Sequence, residues 1–315
     1  MPLRSIELFQ NSKTLQWNRF VGESANGTFL LDRRFMEYHS DRFEDASLII
    51  YDGTDIVGLL PASKHGLTVV SHGGLTYGGL IVGKSRSSAH GVYTSLSEVC
   101  DRLRAEGVES LVYKPLPHMY HRAPCEADLY ALFRMGAKMV RRDVSSALPP
   151  SSQMVMRKGR KALVKRAKQI AGLKICSSKD WENFHALLQG RLEEKYGAAP
   201  VHSARELEML QSRFPGNIAL TSAILNDVMI AGCVTFETDC VVHAQYLATH
   251  EIARENGAMD LLISEIIQQT LAKNKWFDFG ISTTNNGLDL NVDLARYKEG
   301  FGAKSVVYDC YRLDF

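Results

Sequence analysis

The chain repeats itself, and a repeat fixes the unit of structure before any other reading begins. The run Gly136-Ala137-Lys138-Met139-Val140-Arg141-Arg142-Asp143 recurs as Gly302-Ala303-Lys304-Ser305-Val306-Val307-Tyr308-Asp309, a shift of 166 residues. The same shift lays Leu111-Val112-Tyr113 on Phe277-Asp278-Phe279, and Gly91 on Gly257. Further upstream the offset becomes 174, so that Gly58 matches Gly232. There, two β-rich runs flank Asp52-Gly53 in one copy and Asn226-Asp227 in the other, turn pairs that tolerate positive φ. Each repeat thus predicts a hairpin, a third strand (about Leu75 to Val82; about Cys240 to Ala248), and a glycine-bearing turn. A long amphipathic helix (about Gly91 to Ala105; about Ala258 to Lys273) and a further strand follow, then a short helix and a last strand. Strands alternating with helices give the α/β class: two domains in tandem, each a mixed central sheet flanked by helices.

Pro149-Pro150-Ser151-Ser152 cannot sustain regular structure and sets the boundary, with one domain over residues 1–149 and the other over 150–315. It is followed by seven Lys or Arg in the twelve residues from Arg157 to Lys168. The whole chain carries a formal charge of only +2, too mild to announce nucleic acid or an anionic membrane as the main partner. Any anion site must be local. The N-terminus lacks the basic flank and apolar stretch of a signal peptide, and no run approaches the roughly 20 apolar residues that cross a bilayer, so a cytoplasmic protein without membrane insertion is expected. Six scattered cysteines without a CxxC pair predict buried free thiols and no metal.

Chemistry is expected where the second repeat's third strand turns into its long helix. His250-Glu251-Ile252-Ala253-Arg254-Glu255-Asn256-Gly257-Ala258 ends at a helix N-terminus, where unpaired amides and the helix dipole favour a phosphate. Arg254 adds a charge-assisted donor, and Gly257 allows close backbone approach. This turn resembles the pyrophosphate loop of the GNAT superfamily, Q/R-x-x-G-x-G/A, departing from it at Met259. Asn291-Val292-Asp293-Leu294-Ala295-Arg296-Tyr297-Lys298-Glu299-Gly300-Phe301 resembles the family's late helix, N-x-x-x-A-x-Y-E-K-x-G-F.

That resemblance implies acyl-coenzyme A as co-substrate, held by Arg254, Asn256, Gly257 and Ala258, by the backbone of Tyr246, Leu247 and Ala248 in a splayed strand, and by Asn291. It implies Tyr297 as the acid that protonates the departing thiolate. His243 suits a general base, with the free pKa of histidine near 6.5 and strand alternation placing it opposite Tyr246. Under the 166-residue shift Tyr297 falls on Ala131, Arg254 on Ser88 and Asn291 on Cys125, so the first domain is read as acceptor-binding or supporting. A shifted R-x-x-A-x-G remains there, from Arg86 to Gly91.

The tandem layout resembles Fem-type aminoacyl transferases, and most closely the nucleotide-sugar N-acyltransferases of surface polysaccharide synthesis. It implies transfer of acetyl or 3-hydroxybutyryl to a nucleotide-linked amino sugar such as a dTDP-3-amino-3,6-dideoxyhexose. His72 and Tyr77, in the glycine-rich run from Ser71 to Gly79, are expected to line the sugar pocket, and Arg157 and Arg160 to meet the nucleotide diphosphate. The alternative is a tRNA-dependent aminoacyl transferase of peptidoglycan synthesis, whose phosphates the basic run would also suit. No nucleic acid partner is expected on the first reading, and a homo-oligomer is compatible with either.

Overall fold

The computed structural model describes residues 4–315. They form two compact units of mixed α/β structure. The first comprises residues up to Val144 with Thr283–Asp289 and Val307–Phe315, and the second Ser145–Ser282 with Leu290–Val306. The strands that close the two repeats, Lys138–Leu148 and Lys304–Asp314, stand 166 residues apart end for end. Each divides between the units. The far end of the first, Ser145–Leu148, pairs antiparallel with Trp276–Ile281 in the second unit, and Tyr311–Asp314 of the last strand pairs antiparallel with Ser110–Tyr113 in the first. A single cut after residue 149 does not contain this exchange.

In the first unit, Arg4–Leu8, Leu48–Asp52, Asp55–Leu60 and Ile81–Val82 form an antiparallel sheet in that order. The helix Ala89–Ala105 buries Val92, Leu96, Val99 and Leu103, spaced three and four residues apart, against Leu48, Ile50, Leu60 and Val82. The third strand expected from Leu75 to Val82 shrinks to two residues, and an added hairpin, Ser63–His65 with Thr68–Ser71, precedes it. Gly91, the sequence counterpart of Gly257, lies inside the first turn of its helix, which Ser88 caps by accepting from the Gly91 amide.

In the second unit the sheet runs Leu173–Ser178, Ile218–Leu225, Val228–Glu237, Val241–Thr249, Trp276–Ile281 and Ser145–Leu148. All neighbours are antiparallel except Val241–Thr249 with Trp276–Ile281. The long helix Ala258–Ala272 buries Leu262, Ile263, Ile266 and Ile267 against one face with Val242, Ala244 and Phe277. Burial of this apolar surface, at roughly 25 cal/mol per Å², is the main force holding helix to sheet. Cys100, Cys125, Cys233 and Cys310 are buried, but Cys240 is half-buried and Cys176 exposed, so the expectation of six buried thiols is corrected at those two. Among the described residues no helix is long and apolar enough to cross a membrane.

Candidate active site

The strand Val241–Thr249 pairs with its parallel neighbour only at Val241, Val242 and His243, opposite Trp276, Phe277 and Asp278. Beyond His243 the two strands part, and the backbone from Ala244 onward has no strand partner on that edge. At the fork His243 Nδ1 lies 2.7 Å from Asp278 Oδ2. A carboxylate only accepts, so Nδ1 carries the proton and Nε2 is left as the basic nitrogen. Asp278 is fully buried; its other oxygen accepts from Ser145 Oγ at 2.5 Å and from the Gly280 amide at 3.0 Å. Gly280 adopts φ +77°, and a Cβ there would stand 3.1 Å from His243 Cε1, so glycine both makes the turn and leaves room for the imidazole. The three bonds fix the carboxylate, and the carboxylate fixes the imidazole. Such a relay prepares a general base.

Lys298, on the helix Val292–Glu299, is buried and donates from Nζ to the carbonyls of Gly280 and Ile281, both at 2.7 Å. It ties that helix to the strand bearing Asp278. Burial pushes its pKa down to about 8, against a smaller upward pull from Asp278. Below pH 8 folded and unfolded chains both carry the proton. As pH rises from about 8 towards the free value of 10.5, only the folded chain loses it, so the contribution of Lys298 to stability increases with pH over that window. Lys298→Met is expected to flatten that slope and to cost about 1–3 kcal/mol at neutral pH, since two buried carbonyls lose their donor. Urea unfolding from pH 7 to 10 checks both; an unchanged slope would remove Lys298 as the titrating group.

Strand alternation predicts His243 and Tyr246 on opposite faces, and the structure corrects this. The register between Val228–Glu237 and Val241–Thr249 slips at Val234/Thr235, leaving Gln245 as an extra residue. Ala244 and Leu247 consequently share the core face, and Tyr246 joins His243 on the other. The Tyr246 hydroxyl is 2.5 Å from His202 Nδ1. Leu247 packs into the core and Ala248 is fully buried opposite Gly232.

The expected phosphate turn is only half open. Gly257 caps the long helix at φ +84°, but a Cβ there would stand 2.5 Å from the carbonyl oxygen of Leu163. The backbone that glycine admits is the chain's own. Leu163 belongs to the basic helix Lys158–Ala167, whose Val164 and Ala167 pack on Leu261 of the long helix. Asn256 accepts from the Ala258 amide, and Asn291 caps the late helix by accepting from the Leu294 amide, so neither is a spare arm. Arg160, expected at a diphosphate, instead pairs with the buried Asp260 in the long helix's first turn. Arg157 pairs with Glu299 at 3.2 Å.

The outer side of the turn is different. Arg254 is over a third exposed, loosely paired with Glu251 at 3.6 Å. With His250 and Arg191 it lines a cleft of about 360 Å³ against the helix Trp181–Tyr196. The open space at this turn therefore lies beside Arg254 and not over Gly257.

Tyr297 lies beneath Arg160, whose guanidinium carbon is 4.3 Å from its ring centroid, and packs edge-on against Phe301 at 5.5 Å. Its hydroxyl is closed to solvent and has no hydrogen-bond partner among the described residues. Burial pushes its pKa up to about 12, with Arg160 pulling the other way. A buried donor without an acceptor is rare in folded proteins and calls for an explanation.

His72 and Tyr77 are both buried. Tyr77 is buried, with its hydroxyl 3.1 Å from Thr28 Oγ1 and its ring on Tyr120. His72 is buried against His39 and Phe43, and burial first, then His39 and Lys114, hold its pKa down to about 3. The glycines between them bring this loop close to those rings, and of the run from Ser71 to Gly79 only Gly73 and Thr76 are exposed. Asp278, Ser145 and Lys298 were missed by sequence reasoning. For Asp278 a signal existed, an acid between two phenylalanines in an apolar strand, which has to be buried and therefore partnered.

Residues 153–299 match the acetyltransferase (GNAT) domain family. No curated protein sequence matches the chain. Among solved structures the fold is similar to FemX, with 12% identity over 97% of this chain and 96% of that one and a TM-score of 0.66. It is also similar to the C-terminal domain of a putative lysylphosphatidylglycerol synthetase from Agrobacterium fabrum (10% identity, 97% and 93% covered, TM-score 0.62). A tandem GNAT protein from the clavulanic acid biosynthesis pathway aligns over 99% and 98% of the two chains, with 11% identity and a TM-score of 0.51. At these identities the likeness is one of fold: this chain has a GNAT-like fold in tandem.

Proposed function

We propose that this protein is an N-acyltransferase that moves an acyl group from coenzyme A to the amino group of a nucleotide-linked amino sugar, with His243 as base and Tyr297 as acid. The observation that carries this reading is the His243, Asp278 and Ser145 relay at the mouth of the strand fork. Coenzyme A supplies the acyl group as a thioester, whose C–S bond breaks as the C–N bond forms. His243 Nε2 takes the proton that the attacking ammonium must lose, and the Asp278 carboxylate stabilises the imidazolium so formed. The Tyr297 hydroxyl gives its proton to the departing thiolate, Arg160 over the ring stabilises the phenolate, and the second proton that the nitrogen loses as the amide forms restores the phenol. Arg254 and Arg191 are the residues that would hold the diphosphate.

A second reading, aminoacyl transfer from tRNA, draws support from the basic helix. Arg157, Lys158, Lys161, Lys165, Arg166 and Lys168 are all exposed there, while Arg160 anchors it from within. The similarity to FemX and to a lysylphosphatidylglycerol synthetase domain also suits it.

One experiment separates the two. Acyl-coenzyme A is incubated with a panel of nucleotide-linked amino sugars while free thiol is followed, beside a filter-binding titration with tRNA. Thiol release with at least one sugar is expected, with Arg254→Ala weakening coenzyme A binding by about 1–3 kcal/mol and tRNA binding slight at physiological salt. Tight, salt-sensitive tRNA binding with no thiol release for any sugar would replace the first reading by the second.

A further inference from the structure

Arg160 leaves the basic helix Lys158–Ala167 on its inner side and enters between the late helix Val292–Glu299 and the first turn of the long helix Ala258–Ala272. Its guanidinium carbon lies 4.3 Å from the ring centroid of Tyr297 and 4.5 Å from that of Phe301, and it pairs with Asp260. The arginine side chain is 15% exposed and the aspartate 5%. Among the described residues neither has another ion pair. Arginine keeps its charge at any working pH, and two ring faces do not neutralise it. With water in reach of a long, flexible stem, an unpaired guanidinium would leave the rings for solvent. The carboxylate therefore decides where the cation stands.

Asp260 is itself fixed. It stands in the first turn of the long helix, where the positive end of the helix dipole favours a carboxylate, and the neighbouring Leu262 and Ile263 are fully buried. Gly300, which ends the late helix, completes the arrangement. Its φ of −59° and ψ of −20° are ordinary helical values, so its backbone does not call for glycine. The guanidinium does: a Cβ at this position would stand 2.8 Å from Arg160 Nε and 3.2 Å from Arg160 Nη2. The Gly300 carbonyl also accepts from the Arg157 amide at 2.9 Å, which ties the start of the basic helix to the same residue.

We infer that Asp260 and Gly300 are positioning residues for the acid step, Asp260 by holding Arg160 over Tyr297 and Gly300 by leaving the guanidinium room. The inference rests on Tyr297 as the acid. The charge of Asp260 opposes a phenolate, so what it contributes is the place of the cation. Asp260→Asn and Gly300→Ala are each made alone and together with Tyr297→Phe, and the second keeps both charges of the ion pair should the first fold poorly. The Nε–H resonance of Arg160, assigned by its loss in Arg160→Lys, is shifted by the two ring currents and moves towards the position of a free arginine in both variants. Turnover falls roughly five- to twentyfold in each, with donor affinity kept within about twofold. Added to Tyr297→Phe, neither change lowers turnover by more than about a further twofold, because the group that Arg160 serves is gone. Equal losses in both backgrounds would mark a merely structural role and overturn the inference. So would an unmoved resonance, or full turnover in Asp260→Asn and Gly300→Ala beside an impaired Tyr297→Phe. Full turnover in Tyr297→Phe would instead remove the acid reading, and this inference with it.

Discussion

His243→Asn is expected to lower turnover by roughly 10²–10⁴ while leaving donor affinity nearly intact, because only the proton acceptor is removed. Asparagine still reaches towards Asp278 but offers no basic nitrogen. Asp278→Asn is the informative companion, since it keeps the volume of a fully buried side chain and removes the acceptor that forces the Nδ1 proton and frees Nε2. Its amide would also have to satisfy Ser145 and the Gly280 amide with a single oxygen. A similar loss of turnover, accompanied by a modest fall in melting temperature, is therefore expected for Asp278→Asn, against a clean kinetic loss for His243→Asn. Steady-state kinetics with thermal unfolding of both variants decides the matter. If His243→Asn kept most of its turnover, the pair would be a buried structural hydrogen bond and the acceptor amine would lose its proton to water.

The repeat made the architecture legible because it compares the chain with itself, so errors of propensity in one copy are checked against the other. Both hairpins, both long helices and the two closing strands stand where the shifts of 174 and 166 put them. The same logic failed where the copies diverge. Leu75 to Leu80 reads as strand from its apolar content, but the loop from His72 to Gly79 packs on the side chains of His39, Phe43 and Tyr113 and makes isolated backbone bonds, such as Gly78 N–H to the Lys114 carbonyl, instead of a ladder. Tertiary packing overrode local propensity there.

At the candidate site, the sequence offers residue types and their order but not their contacts. Tyr297 and His243 stand out as residue types with chemistry at plausible places along a motif. Their partners come from 35 residues away for His243, and from the helix Lys158–Ala167 for Tyr297. The bulge at Gln245 is invisible to a reading by period two, yet it alone decides which face Tyr246 shares with His243. The basic run likewise reads as an anion-binding surface. One of its seven cations, Arg160, turns inward to Asp260 and Tyr297, and the backbone at Leu163 fills the side of the turn that Gly257 was expected to leave for a ligand.

That inward turn gives the second large expected effect. Tyr297→Phe should lower turnover by roughly 10²–10⁴ while leaving the melting temperature unchanged or raised. The opposite directions follow from one fact, that the hydroxyl is sealed from solvent and has no acceptor in the resting protein. Removing an unsatisfied buried hydroxyl relieves a desolvation penalty of about 1–3 kcal/mol, while the ring keeps its contacts with Arg160 and Phe301. A phenol with its pKa pushed up to about 12 stays protonated at neutral pH, so the proton is held in place until a leaving group needs it. A departing thiolate is the weaker base of the two and takes that proton only as the phenolate is stabilised, which is the part the guanidinium above the ring plays. Lost turnover with a maintained or raised melting temperature in Tyr297→Phe identifies a group held ready at the expense of stability. Full turnover in the same variant would make Tyr297 a packing residue, its hydroxyl an accident of burial, and would leave the thiolate to take its proton from solvent.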